Sequence, residues 1–126
     1  MKKEIIHTDN APAAIGPYSQ AVKANGFLFL SGQIPLDAKT GEIVGDSIET
    51  QTGQVLKNIR EILSQEGLDS SDIVTCKVYL TALDLFSRFN EVYGRNFPQA
   101  PPARVTVEVS ALPKGSLIEI EATAVY

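Results

Sequence analysis

Two isolated charges in otherwise apolar segments, Arg104 and Glu119, are the residues of this chain best suited to chemistry. Arg104 lies within PPARVTVEV, residues 101–109, and Glu119 lies within LIEIEATAVY, residues 117–126. A planar guanidinium can bind a carboxylate through two parallel charge-assisted hydrogen bonds, a geometry that lysine cannot reproduce. A carboxyl group can take a proton and return it. Brought together, the two would hold an anion beside a group that moves protons.

The alternation of side chains in both segments predicts two β-strands. Successive side chains of a strand point to opposite faces, so Arg104 and Thr106 face away from the valines around them. Glu119 and Glu121 likewise face away from the isoleucines of their own strand. Residues 110–116 contain turn formers and predict an antiparallel hairpin with a long loop. Such a hairpin would place Arg104 and Glu119 on one surface of one sheet.

An ordinary structural explanation competes with this hypothesis. An arginine and a glutamate on the solvent face of a half-buried sheet are common, and exposed ion pairs contribute little to stability. Glu108 and Glu121 have the same parity as Arg104 and Glu119, so alternation leaves either of them open as the structural partner of Arg104. The segment FLFLSGQ of residues 27–33 favours a functional site over a solvent-exposed ion pair, because this segment is too apolar on both faces to have one side in water.

Length and composition predict one globular domain that spans residues 1–126. Hydrophobic residues make up 44% of the chain and charged residues 21%. No run approaches the roughly 18 apolar residues that a membrane span needs. The first 20 residues lack the apolar core of a signal peptide, so we expect a cytoplasmic protein with no membrane partner.

Metal and nucleic-acid chemistry are disfavoured by the residues that the chain carries. The single cysteine, Cys76, permits no internal disulfide, and with the single histidine, His7, it leaves too few soft ligands for a zinc site. The net charge is −4 and the 11 basic residues are scattered, whereas non-specific nucleic-acid binding depends on clustered lysines and arginines. We therefore expect no metal centre and no nucleic-acid partner.

Hydrophobic periodicity predicts the elements that must position the two charges. Apolar residues recur at helical spacing over residues 48–67 and again over residues 85–97. Strand-like alternation occurs in residues 27–33 and 73–80. The predicted order is two or three strands, a helix, a strand, a helix and two strands.

This order predicts an α+β fold in which two helices pack on one face of a mixed sheet. The other face is then uncovered, and the apolar residues on both faces of residues 27–30 suggest that identical subunits bring their sheets together. We therefore expect a homo-oligomer. Arg104 and Glu119 would lie near a subunit boundary, where clefts form and a low dielectric strengthens charged contacts.

Five blocks of sequence, in order along nearly the whole chain, closely resemble the RidA/YjgF family of reactive imine and enamine deaminases. Together they are far more specific than any one alone. The blocks are NAP with IGPYSQA (residues 10–12 and 15–21), SGQIP (31–35), NEVY (90–93), PAR with VEV (102–104 and 107–109), and LPK with IEIEA (112–114 and 118–122).

The resemblance implies a chorismate-mutase-like α+β fold, assembled as a homotrimer with three ligand sites between subunits. It implies hydrolysis of 2-iminobutanoate, 2-iminopropanoate and their enamine tautomers, which escape from pyridoxal-phosphate enzymes, to 2-oxo acids and ammonia. Arg104 would bind the substrate carboxylate and Glu119 would exchange the protons. Such chemistry needs no cofactor, metal or covalent nucleophile.

The same resemblance implies that hydroxyl, amide and backbone groups line the pocket, contributed by Tyr18, Ser31, Gly32, Asn90 and the backbone around Thr106. Tyr18 could instead be a loop aromatic that covers the core, Ser31 a small packing residue, and Asn90 a helix residue bonded to a loop. A glycine at position 32 has a physical reason to occur in a ligand pocket, because it lets a ligand approach the backbone closely. Many relatives carry cysteine where this chain has Thr106, so thiol chemistry is absent there, although a contact made by the backbone would survive.

Three function classes follow. The first is the deaminase, whose turnover depends on Arg104 and Glu119. The second is a non-catalytic module that binds small 2-oxo acids in the same pocket and acts as a regulator. The third is an RNA-cleaving, translation-inhibiting or chaperone-like role, as reported for some members of the family, and the acidic net charge makes RNA the weakest of these partners.

Overall fold

Six strands form one mixed sheet, and two helices cover one of its faces, in the computed structural model, which describes residues 2–126. The α+β class and the two helices on one face are as predicted. In chain order the elements are β1 (Glu4–Ile6), β2 (Ala21–Ala24), β3 (Phe27–Gln33), α1 (Ile48–Gln65), β4 (Ile73–Leu80), α2 (Phe86–Asn96), β5 (Ala103–Glu108) and β6 (Ile118–Val125).

The strand order across the sheet is β1-β2-β3-β6-β4-β5, so β4 separates β5 from β6. β5 runs parallel to β4, and β6 runs antiparallel to both β3 and β4. The predicted hairpin between β5 and β6 is therefore wrong. The physical reason is α2, which carries the chain back so that β5 joins β4 in parallel, and a parallel pair needs such a crossover. The loop after β5 then passes β4 before β6 begins.

The core lies between the helices and the sheet face that they cover. Helix α1 begins after Ser47, whose side-chain oxygen accepts a hydrogen bond from the Thr50 backbone N–H at 3.1 Å. Its buried stripe packs on every second residue of the central strands. The fully buried side chains include Leu28, Val55, Ile59, Ile62, Val78, Leu80, Phe89, Ile118 and Ile120.

The opposite face of the sheet is open and carries large apolar side chains. Phe29 of β3 is 47% exposed, and Val105 and Val107 of β5 are 55% and 41% exposed. The valines of β5 thus lie on the open face, because β5 is in register with Lys77 and Tyr79 of β4, which also point there. The sequence predicts an uncovered sheet face. Exposed apolar patches of this kind are typical of interaction surfaces.

Within residues 2–126, neither helix is long and apolar enough to cross a membrane.

Candidate active site

A cavity of about 550 Å³ opens on the uncovered face of the sheet, around Glu119. We call it the Glu119 cavity. Its walls come from the N-terminal loop, from β3 and the loop after it, from β4 and β6, and from the loop before β6. The lining residues are Pro12, Ala13, Tyr18, Gln20, Ser31, Gly32, Gln33, Ile34, Leu36, Tyr79, Pro113, Glu119 and Glu121.

Glu119 is half-buried at the start of β6, opposite Tyr79 of β4. Burial raises the pKa of the Glu119 carboxyl above its ordinary value, and the negative charge of Glu121 raises it further. The Tyr79 hydroxyl faces the Glu121 carboxylate at 3.4 Å, and burial followed by the two carboxylates raises the pKa of Tyr79 as well. A carboxyl whose pKa is shifted toward neutrality is suited to taking and returning a proton.

Gly32 gives Glu119 the room that it occupies. A Cβ placed on Gly32 would lie 2.9 Å from the Glu119 Cδ, closer than real side chains approach. The pairing of β3 with β6 shifts register between Leu30 and Gln33, so the backbone at Gly32 departs from regular pleating just where Glu119 meets it. Any larger residue at position 32 would displace the carboxyl.

The remaining walls of the Glu119 cavity are tied together by hydrogen bonds. The Ser31 hydroxyl donates to the Ser19 carbonyl at 2.5 Å, and the Ser31 backbone N–H donates to the Gln20 carbonyl at 2.9 Å. The buried Gln20 amide donates to the Thr8 and Pro12 carbonyls at 3.0 and 2.9 Å. These bonds fix the N-terminal loop beside β3 and so hold the half-exposed Tyr18 ring at the rim.

Arg104 lies on the other side of the sheet, at the β5 edge. Its position in β5 is in register with the buried Cys76 of β4, so its side chain points toward helix α2. The Arg104 Nη1 donates to the Asn90 Oδ1 at 2.8 Å. The guanidinium carbon lies 4.8 Å from the Tyr93 ring centroid and 5.4 Å from those of Phe86 and Phe89. An amide and three rings therefore orient an exposed cation.

The expectation that Arg104 and Glu119 share one surface of the sheet is wrong. Within one subunit they lie on opposite faces, because β5 aligns Arg104 with the helix-facing Cys76 whereas β6 aligns Glu119 with the outward-facing Tyr79. Asn90, and not Glu108 or Glu121, is the hydrogen-bond partner of Arg104 among residues 2–126. Glu108 instead accepts a hydrogen bond from the Leu83 backbone N–H at 2.8 Å.

The predicted site residues thus fall into two groups. Tyr18, Ser31, Gly32 and Glu119 line the Glu119 cavity. Asn90 and Arg104 line a second opening of about 430 Å³, which we call the Arg104 groove. Thr106 lies beside Val78 on the Arg104 side of the sheet, and its hydroxyl is buried without a hydrogen-bond partner within residues 2–126.

Tyr79 and Pro113 are lining residues that sequence reasoning did not select. Tyr79 could have been found once β4 was paired with β6, because it faces Glu119 across that ladder. Pro113 lies in the loop before β6, where no periodic signal exists. No cluster of three or more histidine, cysteine or acidic side chains suited to a metal ion occurs in the described part of the chain.

Comparison with known proteins finds relatives along nearly the whole chain. The family model described as endoribonuclease L-PSP matches residues 8–126. A RutC family protein of Pyrococcus horikoshii is 57% identical over 122 residues, 97% of each chain. The 2-iminobutanoate/2-iminopropanoate deaminase of Mus musculus is 43% identical over 123 residues, 98% of this chain and 91% of the relative. The crystal structure of YyfA of Yersinia pestis, a Rid family protein of unknown function, superposes with a TM-score of 0.96 at 50% identity, covering 98% of this chain and 99% of that one.

Proposed function

Because this chain belongs to the RidA/YjgF family, matched by the endoribonuclease L-PSP model, we propose that it hydrolyses small 2-imino acids to 2-oxo acids and ammonia. We include 2-iminobutanoate and 2-iminopropanoate, together with their enamine tautomers, among the substrates. The observation that carries the proposal is a half-buried carboxyl of raised pKa in an open cavity, with an oriented guanidinium as its complement.

The placement of the two charges supports a site made by two subunits. A small imino acid cannot reach through a sheet, so Arg104 and Glu119 of one subunit cannot hold the same molecule. The apolar open face, with Phe29, Val105 and Val107 exposed, favours contact with another copy of the chain. We propose a homotrimer in which the Arg104 edge of each subunit completes the Glu119 cavity of its neighbour, giving three equivalent sites.

Arg104 binds the substrate carboxylate in this scheme. Its guanidinium offers parallel N–H donors that match a carboxylate, and the hydrogen bond from Nη1 to Asn90 fixes the plane of the fork. The aromatic rings beneath the guanidinium limit its rotamers, so less conformational entropy is lost when the substrate binds. Tyr18, Ser31 and the backbone around Thr106 complete the polar lining, contributed by both subunits.

Glu119 moves the protons of the hydrolysis. The carboxylate takes a proton from a water molecule as the water oxygen attacks the imine carbon, whose C=N bond becomes a single bond. Glu119 then returns that proton to the nitrogen, which gives a tetrahedral carbinolamine. Glu119 next takes the proton of the carbinolamine hydroxyl and delivers it to the nitrogen, so that the C–N bond breaks, ammonia leaves and the C–O bond becomes the ketone of a 2-oxo acid. One carboxyl near its pKa serves both steps. Gly32 lets the Glu119 carboxyl keep its position, because the missing side chain leaves space for it.

The size of the required effect suits a site with few groups. Imines hydrolyse in water unaided, and a positioned acid or base contributes about 10²- to 10⁴-fold, with orientation adding more. The proposed reaction therefore needs only the carboxyl, the guanidinium and a cavity that orders both reactants.

The direct test generates 2-iminopropanoate and 2-iminobutanoate in situ with an amino-acid oxidase and traps the remaining imine with semicarbazide. We expect the protein to lower the yield of trapped imine in proportion to its concentration. Heat-inactivated protein is the control. An unchanged yield with both imines, together with calorimetric binding of 2-oxobutanoate, would replace the deaminase with the metabolite-binding module. Cleavage of RNA by highly purified Arg104→Ala protein would support the RNA-directed role.

A further inference from the structure

The lining of the Arg104 groove combines polar and apolar side chains. Arg104 and Asn90 form the polar part. The Tyr93 ring lies against the Arg104 guanidinium, with 4.8 Å between the ring centroid and the guanidinium carbon, and the Phe97 ring centroid lies 4.7 Å from that of Tyr93. Phe97, Pro101 and Pro102 supply the apolar part of the lining. Such a distribution of chemistry fits a molecule that carries a carboxylate at one end and a hydrocarbon group beyond it.

The far wall of the groove is rigid. It consists of Pro101 and Pro102, at the end of the loop that joins α2 to β5. Pro98 lies in the same loop, and each proline fixes its own φ and restricts the residue before it. Ala100, which lies between Pro98 and Pro101, has a φ of 47°. This is a left-handed conformation that a non-glycine residue adopts only when its surroundings impose it. The wall is therefore formed before any ligand arrives.

We propose that the Arg104 groove binds the side chain of the 2-imino acid and selects substrates with large apolar side chains. The inference rests on the proposed function, in which Arg104 fixes the substrate carboxylate at the polar part of this groove. The methyl group of 2-iminopropanoate leaves most of the 430 Å³ empty, whereas a branched or aromatic side chain reaches the apolar lining of Phe97, Pro101 and Pro102. Each additional buried methylene then strengthens binding.

Gly94 is the residue that keeps the groove open. It lies on α2 one turn after Asn90, on the same side of the helix, and lines the groove. A Cβ built on Gly94 meets no heavy atom within 4 Å, so a side chain at this position would extend into free space in the groove.

Gly53 provides a matched control. It also lies within a helix, α1, and a Cβ built on it likewise meets no heavy atom within 4 Å. It lines neither the Glu119 cavity nor the Arg104 groove. The same substitution at both glycines therefore makes the same change in helix propensity, and only the change at Gly94 fills the groove.

The test measures kcat/KM for the imines formed from alanine and from leucine, with wild type, Gly94→Ala, Gly94→Leu and Gly53→Leu. We expect wild type to favour the leucine-derived imine by at least about tenfold. Gly94→Leu should remove that preference, Gly94→Ala should reduce it in part, and Gly53→Leu should retain it. If the ratio of the two kcat/KM values in Gly94→Leu equals that of wild type, the inference is overturned.

Binding of the product acids separates this inference from the proposed reaction. Calorimetry with pyruvate and 4-methyl-2-oxopentanoate measures the side-chain preference without any turnover. Tighter binding of the larger acid to wild type, lost in Gly94→Leu, supports the groove even in a protein that hydrolyses no imine. Equal affinities for the two acids would contradict the groove even in an active deaminase. Size-exclusion chromatography of each variant verifies that its assembly matches wild type.

Discussion

The Glu119 cavity and the Arg104 groove place their charged groups in different surroundings. Glu119 is half-buried beside another carboxylate, and both influences raise its pKa. Arg104 is exposed, and an amide and aromatic rings orient its guanidinium. A guanidinium next to Glu119 in the same subunit would lower the carboxyl pKa. Within one subunit the two groups lie on opposite faces of the sheet, so the surroundings of each charge are set independently.

The largest expected effect comes from removing the guanidinium. Arg104→Ala should lower kcat/KM for 2-iminobutanoate by about 10³-fold, because the substrate carboxylate loses both charge and hydrogen bonds. Arg104→Lys should recover only part of this loss, because an ammonium group keeps the charge without the planar fork. Steady-state kinetics of both variants measure the difference. Equal activity of the lysine variant and wild type would show that charge alone suffices.

Glu119→Gln should lower kcat by about 10²- to 10³-fold while 2-oxobutanoate still binds, because the amide fills the same space without exchanging protons. In wild type, kcat should fall at acid pH, since Glu119 must be ionised to accept a proton from water. Its raised pKa places this fall above the ordinary glutamate value of about 4.3. A pH profile of kcat measures it, and an identical acid limb in the residual activity of Glu119→Gln would assign the titration to another group.

Asn90 is predicted to act through Arg104 and not on the substrate directly. Asn90→Ala should raise KM about tenfold and change kcat much less, because the guanidinium keeps its charge and loses its orientation. Comparison of KM and kcat in Asn90→Ala and Arg104→Ala measures this. A fall in kcat with an unchanged KM in Asn90→Ala would instead make Asn90 part of the reaction step.

The smallest effect is on stability, and its sign follows from the Glu119 pKa. A carboxyl whose pKa is raised by folding binds its proton more tightly in the folded state, so stability falls as the pH rises from the ordinary glutamate pKa through the raised one. The glutamine of Glu119→Gln does not titrate, so this variant does not lose stability in this way as the pH rises. We expect its melting temperature to exceed that of wild type at pH 8 by at most a few degrees, with the gap closing near pH 4. A lower melting temperature at pH 8 would contradict the assignment.

The sequence predicts the elements well and the pairing of β5 poorly, for a physical reason. Periods of 3.6 and 2 identify a helix or strand and divide its residues between two faces. They do not say which face of an edge strand meets the core. The valines of β5 form the more apolar side, yet Val105 and Val107 lie on the open face. Arg104 lies on the helix side because it can stack on the rings of α2.

Part of the candidate site was predictable from the sequence, but the arrangement of its residues was not. Tyr18, Ser31, Gly32 and Glu119 do line one cavity, and Asn90 and Arg104 do meet. The separation of these groups depends on β4 lying between β5 and β6, which no local pattern in either strand encodes. Strand order is set by the whole chain, above all by the α2 crossover.

The claim that each site takes Arg104 from one subunit and Glu119 from the next can be tested by mixing two inactive variants. Arg104→Ala and Glu119→Gln subunits are unfolded together in equal amounts, refolded, and assayed with 2-iminobutanoate beside each variant treated alone. If sites lie between subunits, random assembly restores both residues in about a quarter of them, so the mixture should show about a quarter of wild-type activity. A mixture no more active than its components would contradict a shared site.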